Sequence, residues 1–240
     1  MKRFIPVLLL IFVLIGCSNQ YEKEPLKKVT FHNIHTPTMS STLPLNGKRI
    51  VIDPGHGGID AGAVANNLYE KDVNLTISKY TKKYLETLGA KVYLTRDSDK
   101  ALTYEYRVKT SIYYNADIFI SIHNNSDVPS SNGTEVYYNE FPYMGENNPF
   151  PSESKQLAKA IHDSLTMLGN LKQMGVKENN YFVLRKNSIP SVLVEVAFLT
   201  NIDNANRLKN PDDLQAFASA IAIGIQNYFL PKESEVFLIQ

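Results

Sequence analysis

The sequence RIVIDPGHGG at residues 49–58 joins a short apolar run to a glycine-rich turn that carries a histidine. The apolar run, Arg49 to Ile52, predicts a buried strand. Glycines on both sides of His56 allow the backbone to turn tightly and leave space for a ligand near the imidazole. Taken alone, the segment is also compatible with a plain turn at the end of a strand.

Two other loop types fit this turn poorly. A dinucleotide-binding loop would need its third glycine where the chain has Asp60. An oxyanion loop of a serine hydrolase is disfavoured because no Gly-x-Ser-x-Gly sequence occurs in the chain. The functional interpretation that remains for His56 is a metal ligand.

Three further segments contribute one candidate each: Glu70 in YEKD, His123 in SIH and Glu195 in VEVAF. Catalytic zinc is commonly held by three His or carboxylate ligands, with a fourth position open to water. We therefore predict His56, Glu70 and His123 as zinc ligands and Glu195 as the base that such a site needs. Each residue taken alone has an ordinary explanation: Glu70 could be a solvated acid at the start of a helix, and Glu195 a paired carboxylate. The prediction of a metal site therefore rests on the combination of the four residues.

Strand and helix patterns alternate after Lys48, which predicts an α/β fold: a single three-layer domain with a largely parallel central sheet flanked by helices. Functional groups of such sheets gather at the carboxyl ends of the strands. The predicted strands are Arg49–Ile52, Lys91–Thr95, Asp117–Ile122, Thr134–Tyr138, Tyr181–Leu184 and Val192–Val196, and the predicted helices carry Val73 to Leu88, Tyr104–Tyr114, Ser154–Leu168 and Asp212–Phe229.

The first residues have the pattern of an export signal: Met-Lys-Arg, an apolar run from Phe4 to Ile15, then Gly16 and Cys17. The run is too short to span a bilayer, and its end resembles the bacterial lipoprotein box. We predict a lipoprotein signal peptide at 1–16, a lipidated Cys17 with a flexible tether over 17–47, and a catalytic domain over 48–240. The protein would be extracytoplasmic and lipid-anchored to a bacterial membrane. An ordinary cleaved signal with an incidental cysteine is the alternative.

Charge and cysteine content exclude several classes of protein. The formal net charge is +1, and removal of Lys2 and Arg3 with the signal would bring it to −1, so nothing basic enough for nucleic acid remains. The single cysteine allows neither an internal disulfide nor a cysteine-based zinc cluster. We expect a monomer.

Five blocks in order along residues 48–230 resemble the zinc-dependent N-acetylmuramoyl-L-alanine amidases of the amidase 3 family. The blocks are IDPGHGG ending at Gly58, EKDVNL from Glu70, LTRD at 94–97, SIH at 121–123, and LVE at 193–195 followed by FLTN at 198–201. The resemblance implies one zinc ion, the same three ligands and Glu195 as the catalytic residue. It also implies peptidoglycan as substrate, cut between N-acetylmuramic acid and the first L-alanine of the stem peptide.

The chain departs from the family pattern at two positions, Met174 where arginine is frequent and Ala197 where glycine is usual. Neither is a proposed ligand, so they bear on substrate preference. Polar side chains that could contact substrate are Asn125 and Arg185, with Asn124 as a further candidate. The histidines outside the blocks are interpreted as non-functional: His32, His35 and His162.

Two other functions stay open at this stage. A zinc peptidase cutting within the stem peptide would use the same metal chemistry, although the His-Glu-x-x-His motif of common metalloproteases is absent. A non-catalytic wall-binding lipoprotein could have an amidase fold, although the chain retains all four key residues.

Overall fold

The computed structural model describes residues 43–140, 149–169 and 171–231. The predicted signal peptide, Cys17 and the tether as far as residue 42 lie outside these residues. The described part contains these elements: β1 Arg49–Pro54, β2 Val64–Ala65, β3 Leu68–Tyr69, α1 Glu70–Thr87, β4 Lys91–Leu94, α2 Tyr104–Tyr113, β5 Ile118–Asn125, β6 Thr134–Tyr138, α3 Pro151–Thr166, β7 Gln173–Glu178, α4 Phe182–Arg185, β8 Ser191–Phe198, α5 Ile202–Lys209 and α6 Pro211–Phe229.

The main sheet has the strand order β4-β1-β5-β8-β6-β7. The strands β4, β1, β5 and β8 are mutually parallel, whereas β6 runs antiparallel to β8 and parallel to β7. The short strands β2 and β3 form a separate antiparallel pair just before α1. This arrangement confirms the predicted α/β fold with a largely parallel central sheet.

Alternate residues of each strand enter two different cores. On one face, Ile50, Ile120 and Val194 are fully buried in the large core that also receives residues of α1, α3 and α6. On the other face, Val51 and Phe119 belong to a smaller core with residues of α2 and α4. Because side chains alternate across a strand, the two cores produce three layers.

The packed domain begins before Lys48. The predicted tether reached residue 47, but Leu45 is fully buried in the large core. Its amide donates to the carbonyl of Leu88 at the end of α1, at 2.9 Å. The last residues of the predicted tether that the structure describes are therefore part of the domain.

Most predicted elements are present within a few residues, but the strand predicted at Tyr181–Leu184 is wrong. That segment is a single helical turn, in which the amides of Leu184 and Arg185 both donate to the carbonyl of Tyr181. A short apolar run does not distinguish a buried strand from a buried helical turn. The actual strand β7 lies just before it, and the helix α5 was not predicted either.

The edge strand β7 is fastened to α3 by a buried histidine. The amide of Gly175 donates to Nε2 of His162 at 3.1 Å. This contact gives His162 a structural role, because it links α3 to β7, the strand that was not predicted from the sequence.

No helix in the described part of the chain is long and apolar enough to span a membrane.

Candidate active site

The candidate site lies at the carboxyl ends of the central parallel strands, on the face covered by α2 and α4. The alternation that directs Val51, Phe119 and Leu193 into the smaller core continues along the same strands. It brings His123 on β5 and Glu195 on β8 to that face, where the two residues are direct partners in the parallel pairing.

The loop after β1 holds His56 with a positive φ of 59°, an uncommon conformation for a non-glycine residue. Two buried arginines fix this loop through its carbonyl oxygens. Arg107 donates to the carbonyls of Pro54 and His56 at 2.9 Å each. Arg96 donates to the carbonyls of Pro54 and Gly55 at 3.0 and 2.8 Å. The surrounding hydrogen bonds thus stabilise the strained backbone that aims the imidazole.

Glu70 is the first residue of α1, and its buried carboxylate is held on both oxygens. Oε1 accepts from the side-chain Nδ2 of Asn74 at 3.1 Å and from the backbone N–H of Asn124 at 3.2 Å. Oε2 accepts from the amide of Ala63 at 2.9 Å. Asn74 lies one helical turn after Glu70, so both side chains share a helix face.

His56, Glu70 and His123 converge on one point. One ligand atom from each of the three residues can be chosen so that all lie within 4.8 Å of one another. Nε2 of His56 is 3.1 Å from Oε2 of Glu70, and Nδ1 of His123 is 2.9 Å from Oε1. Tetrahedral zinc with bonds of about 2.1 Å separates its ligand atoms by roughly 3.4 Å, so the spacing is suitable.

The surroundings of the three residues fit a metal cation. Nδ1 of His56 is 2.9 Å from Oδ2 of Asp60, the carboxylate–histidine arrangement that orients metal-bound imidazoles. Burial would lower the pKa of His56, but Glu70 and Asp60 raise it to about 9. Burial has the opposite effect on Glu70 and would raise its pKa, but hydrogen bonds and charge from His123 and His56 hold that pKa well below its usual range. The site therefore favours an added positive charge.

Two glycines leave no room for a side chain beside the ligands. A Cβ atom on Gly55 would lie 2.3 Å from Nε2 of the His123 ring. A Cβ atom on Gly62 would lie 2.5 Å from Oε2 of Glu70 and 2.6 Å from Cδ2 of His56. Both glycines are thus required by close approach to ligand side chains.

Glu195 adds a carboxylate beside the ligand cluster. Its Oε2 is inaccessible to solvent and has no hydrogen-bond partner within the described residues. Burial raises the pKa of Glu195 to about 7, with His123 lowering it and the carboxylates of Glu70 and Glu135 raising it. An acceptor with a pKa near neutrality is suited to taking a proton from water.

The two predicted substrate contacts lie differently. The side-chain Nδ2 of Asn125 donates to Oε1 of Glu135 at 2.6 Å, so this residue contacts a neighbour of Glu195. Arg185 ends α4 with its guanidinium 5.3 Å from the centre of the Phe182 ring. Neither residue lines the cavity next to the ligands as far as the described chain defines it.

A cavity of about 770 Å³ opens beside the cluster. His56, His123 and Glu195 line one part of it. Residues of α2, of the segments 59–60, 101–103 and 180–183, and of the central strands line other parts. Its volume is in the range of small-ligand sites.

Sequence reasoning missed the groups that orient the ligands, namely Asp60, Asn74 and Glu135. The spacing of Asn74 after Glu70 on a predicted helix was a usable signal. Asp60 and Glu135 offered none, because their contacts depend on loop conformation and strand pairing.

Fold and site together define an α/β domain with a cluster of two histidines and one glutamate that could hold a metal ion, beside a buried carboxylate. The sequence profile of the family described as N-acetylmuramoyl-L-alanine amidase (Amidase_3) matches residues 50–227. The chain belongs to this family, as the five sequence blocks predicted.

Individual relatives agree with this assignment. The chain is 40% identical over 193 residues to the uncharacterized protein YqiI of Bacillus subtilis. This alignment covers 80% of this chain and 90% of YqiI. It is 38% identical over 202 residues to the N-acetylmuramoyl-L-alanine amidase LytC of the same organism, covering 81% of this chain but only 39% of LytC. Among solved structures, the amidase AmiC2 of Nostoc punctiforme is 36% identical with a TM-score of 0.69, covering 78% of this chain and 98% of AmiC2.

Proposed function

We propose that the chain is a zinc-dependent N-acetylmuramoyl-L-alanine amidase that hydrolyses the amide between N-acetylmuramic acid and L-alanine in peptidoglycan. The observation that carries the zinc dependence is the convergence of His56, Glu70 and His123, with Asp60 behind the first histidine. The family match supports the amide bond as the point of cleavage.

His56, Glu70 and His123 would hold the metal, and the donor set of two imidazoles and one carboxylate is typical of catalytic zinc. When bound, zinc would supply Lewis acidity toward the scissile carbonyl and toward water. Asp60 would keep the His56 ring in the tautomer that directs Nε2 to the metal. Asn74 and the amides of Ala63 and Asn124 would hold the Glu70 carboxylate still.

Glu195 would take a proton from the attacking water and return it to the amine of the departing L-alanine. The carboxylate of Glu195, which lines the cavity and whose Oε2 lacks a partner among the described residues, is the group we assign to this transfer. Asn125 would act indirectly by orienting Glu135, and Arg185 stays a candidate for substrate contact.

We also propose that the chain acts outside the cytoplasm, as a monomer held to the membrane by a lipid on Cys17. The lipoprotein-box resemblance of residues 14–17 supports the anchor. Relatives described as cell wall amidases support the extracytoplasmic site of action. The extension of the packed core back to Leu45 leaves residues 17–42 as the proposed tether.

Mass spectrometry of the products from purified peptidoglycan tests the reaction. The expected products are free stem peptides that begin with L-alanine and glycan strands without peptides. Fragments cut within the stem peptide would instead identify a peptidase. Retention on the wall without products, by a chain with full zinc content, would identify a binding protein.

A further inference from the structure

The cavity continues beyond the ligand cluster toward a rim of apolar side chains, two of them exposed and one partly buried. We define the apolar rim as Ile59, Tyr104 and Phe182, which all line this cavity. We propose that the apolar rim is a saccharide subsite, which binds a neutral sugar ring of the glycan that carries the scissile amide. This inference rests on the proposed amidase function and extends it to where the glycan lies.

The exposure of the rim is unusual for apolar side chains. Ile59 is 99% exposed, and Tyr104 is 61% exposed. Single exposed apolar residues are common on protein surfaces, but these two flank one cavity that also contains the proposed base. The rings of Tyr104 and Phe182 are 5.8 Å apart between centroids, so they form one continuous apolar wall.

The rim is held in place before any ligand binds. Gly57 and Asp60 exchange backbone hydrogen bonds around Ile59, at 2.9 and 3.2 Å. The amide of Gly58 donates to Asp99, and Lys71 donates to both the carbonyl of Gly58 and Asp99. A rigid loop that presents a fully exposed isoleucine loses little entropy when a ligand covers it.

Tyr104 is presented by a capped helix. It is the first residue of α2, and the side chain of the preceding Thr103 accepts from the amide of Tyr106 at 3.2 Å. The cap stabilises the helix start and so positions the Tyr104 ring at the cavity mouth.

The charges of the cavity favour a neutral, hydroxylated ligand. Within the described lining, Arg107 is the only lysine or arginine, and its guanidinium is engaged by Asp53 at 2.7 Å and by two backbone carbonyls. Asp60 and Glu105 add negative charge near the rim. At the rim, away from the ligand cluster, an anionic segment of the stem peptide would meet these carboxylates and find no unpaired lysine or arginine of the described lining.

A sugar ring matches each of these features. The C–H face of a pyranose is apolar and packs on aromatic rings, whereas its hydroxyl groups donate hydrogen bonds at the ring edge. Exposed Glu105 and Asn180 lie in the same lining and offer acceptors for those hydroxyls. Apolar walls with a few polar groups are the usual composition of a ligand pocket.

Binding of a peptide-free chito-oligosaccharide to the intact chain, measured by titration calorimetry, tests the subsite. Tyr104→Ala should weaken this binding by about five- to tenfold, since a lost aromatic contact is worth roughly a kcal/mol. Ile59→Ser should also weaken it. The matched control is Tyr106→Ala, which removes a 52% exposed tyrosine of the same helix that does not line the cavity.

The outcomes separate this inference from the amidase function. The subsite is refuted if the wild-type chain does not bind the oligosaccharide, or if Tyr104→Ala and Tyr106→Ala bind it equally well. It is also refuted if Tyr104→Ala weakens the binding of a stem peptide and leaves oligosaccharide binding unchanged. Cleavage within the stem peptide would overturn the amidase function, and it is read from product masses, not from this titration. Unchanged far-UV circular dichroism would show that the exposed substitutions leave the fold intact.

Discussion

Glu135 on β6 lies directly opposite Glu195 on β8 in their antiparallel pairing. Residues opposite each other in such a pair point to the same face, with Cβ atoms about 5 Å apart. Glu135 is only 2% exposed. It accepts hydrogen bonds from Asn125 at 2.6 Å and from the hydroxyl of Tyr137 at 2.7 Å, and it pairs with Lys177. The proposed base thus has a buried, partly neutralised carboxylate as its neighbour.

We predict that Glu135→Gln shifts the acidic limb of the pH–activity profile to lower pH. Glu195 acts as a base only when deprotonated, so activity is present above its pKa and lost as pH falls through it. The negative charge of Glu135 raises that pKa. Removing the charge should therefore preserve activity to lower pH. Bound zinc would lower the pKa of Glu195 in the wild type and in the variant alike, so the comparison between them isolates the effect of Glu135.

Lys177→Met provides the opposite change for the same measurement. It removes the cation that pairs with Glu135 and should move the acidic limb to higher pH. Shifts of both variants in the same direction would contradict the electrostatic coupling and indicate a merely structural role for Glu135.

For the metal site, we predict graded losses of zinc. His56→Ala removes a ligand and should abolish zinc binding and activity. Asp60→Ala keeps the ligand and removes its orienting carboxylate, so zinc affinity should fall by about ten- to a hundredfold. Competition with a chromophoric chelator measures both variants, and full zinc occupancy in His56→Ala would refute the assignment.

Glu195→Gln should bind zinc as tightly as the wild type and lose turnover by roughly a hundredfold or more. The amide side chain is close in shape but cannot take a proton from water. Metal content and release of stem peptides, measured on the same sample, check this. A turnover rate near that of the wild type would show that another group is the base.

Leu45→Ala should lower the free energy of unfolding by about 2–5 kcal/mol, because it empties a fully buried position. The control is Leu43→Ala two residues earlier, where the side chain is 55% exposed and the expected change is within about 0.5 kcal/mol. Urea unfolding followed by circular dichroism gives both values. Equal stabilities would show that residues before Lys48 contribute nothing to the fold.

Cys17→Ala should prevent labelling by a metabolic fatty-acid probe and release the chain from the detergent-extracted lipoprotein fraction. The physical reason is that each acyl methylene buried in a membrane contributes about 0.8 kcal/mol, so two or more chains anchor durably. The variant should hydrolyse soluble muropeptides at the wild-type rate, since Cys17 is remote from the proposed ligands in sequence. Labelling as strong as in the wild type would place the lipid elsewhere.

The class of fold was predictable from the sequence, as were the candidate residues of the site. Buried strands such as Arg49–Ile52 and amphipathic helices such as α6 have periodicities that follow from local geometry. The glycines around His56 and the types of Glu70, His123 and Glu195 are likewise readable from short segments, because each reflects a requirement at one position of the chain.

The residues that surround those groups could be identified only from the packed domain. Strand order and register bring Glu135 opposite Glu195, and loop conformation brings Asp60 behind His56. The segment at Tyr181–Leu184 becomes a helical turn whose Phe182 meets Tyr104 across the cavity. Apolar periodicity reports that a face is buried, but it carries no information on which other face covers it. Contacts between elements far apart in sequence are set by packing of the whole domain.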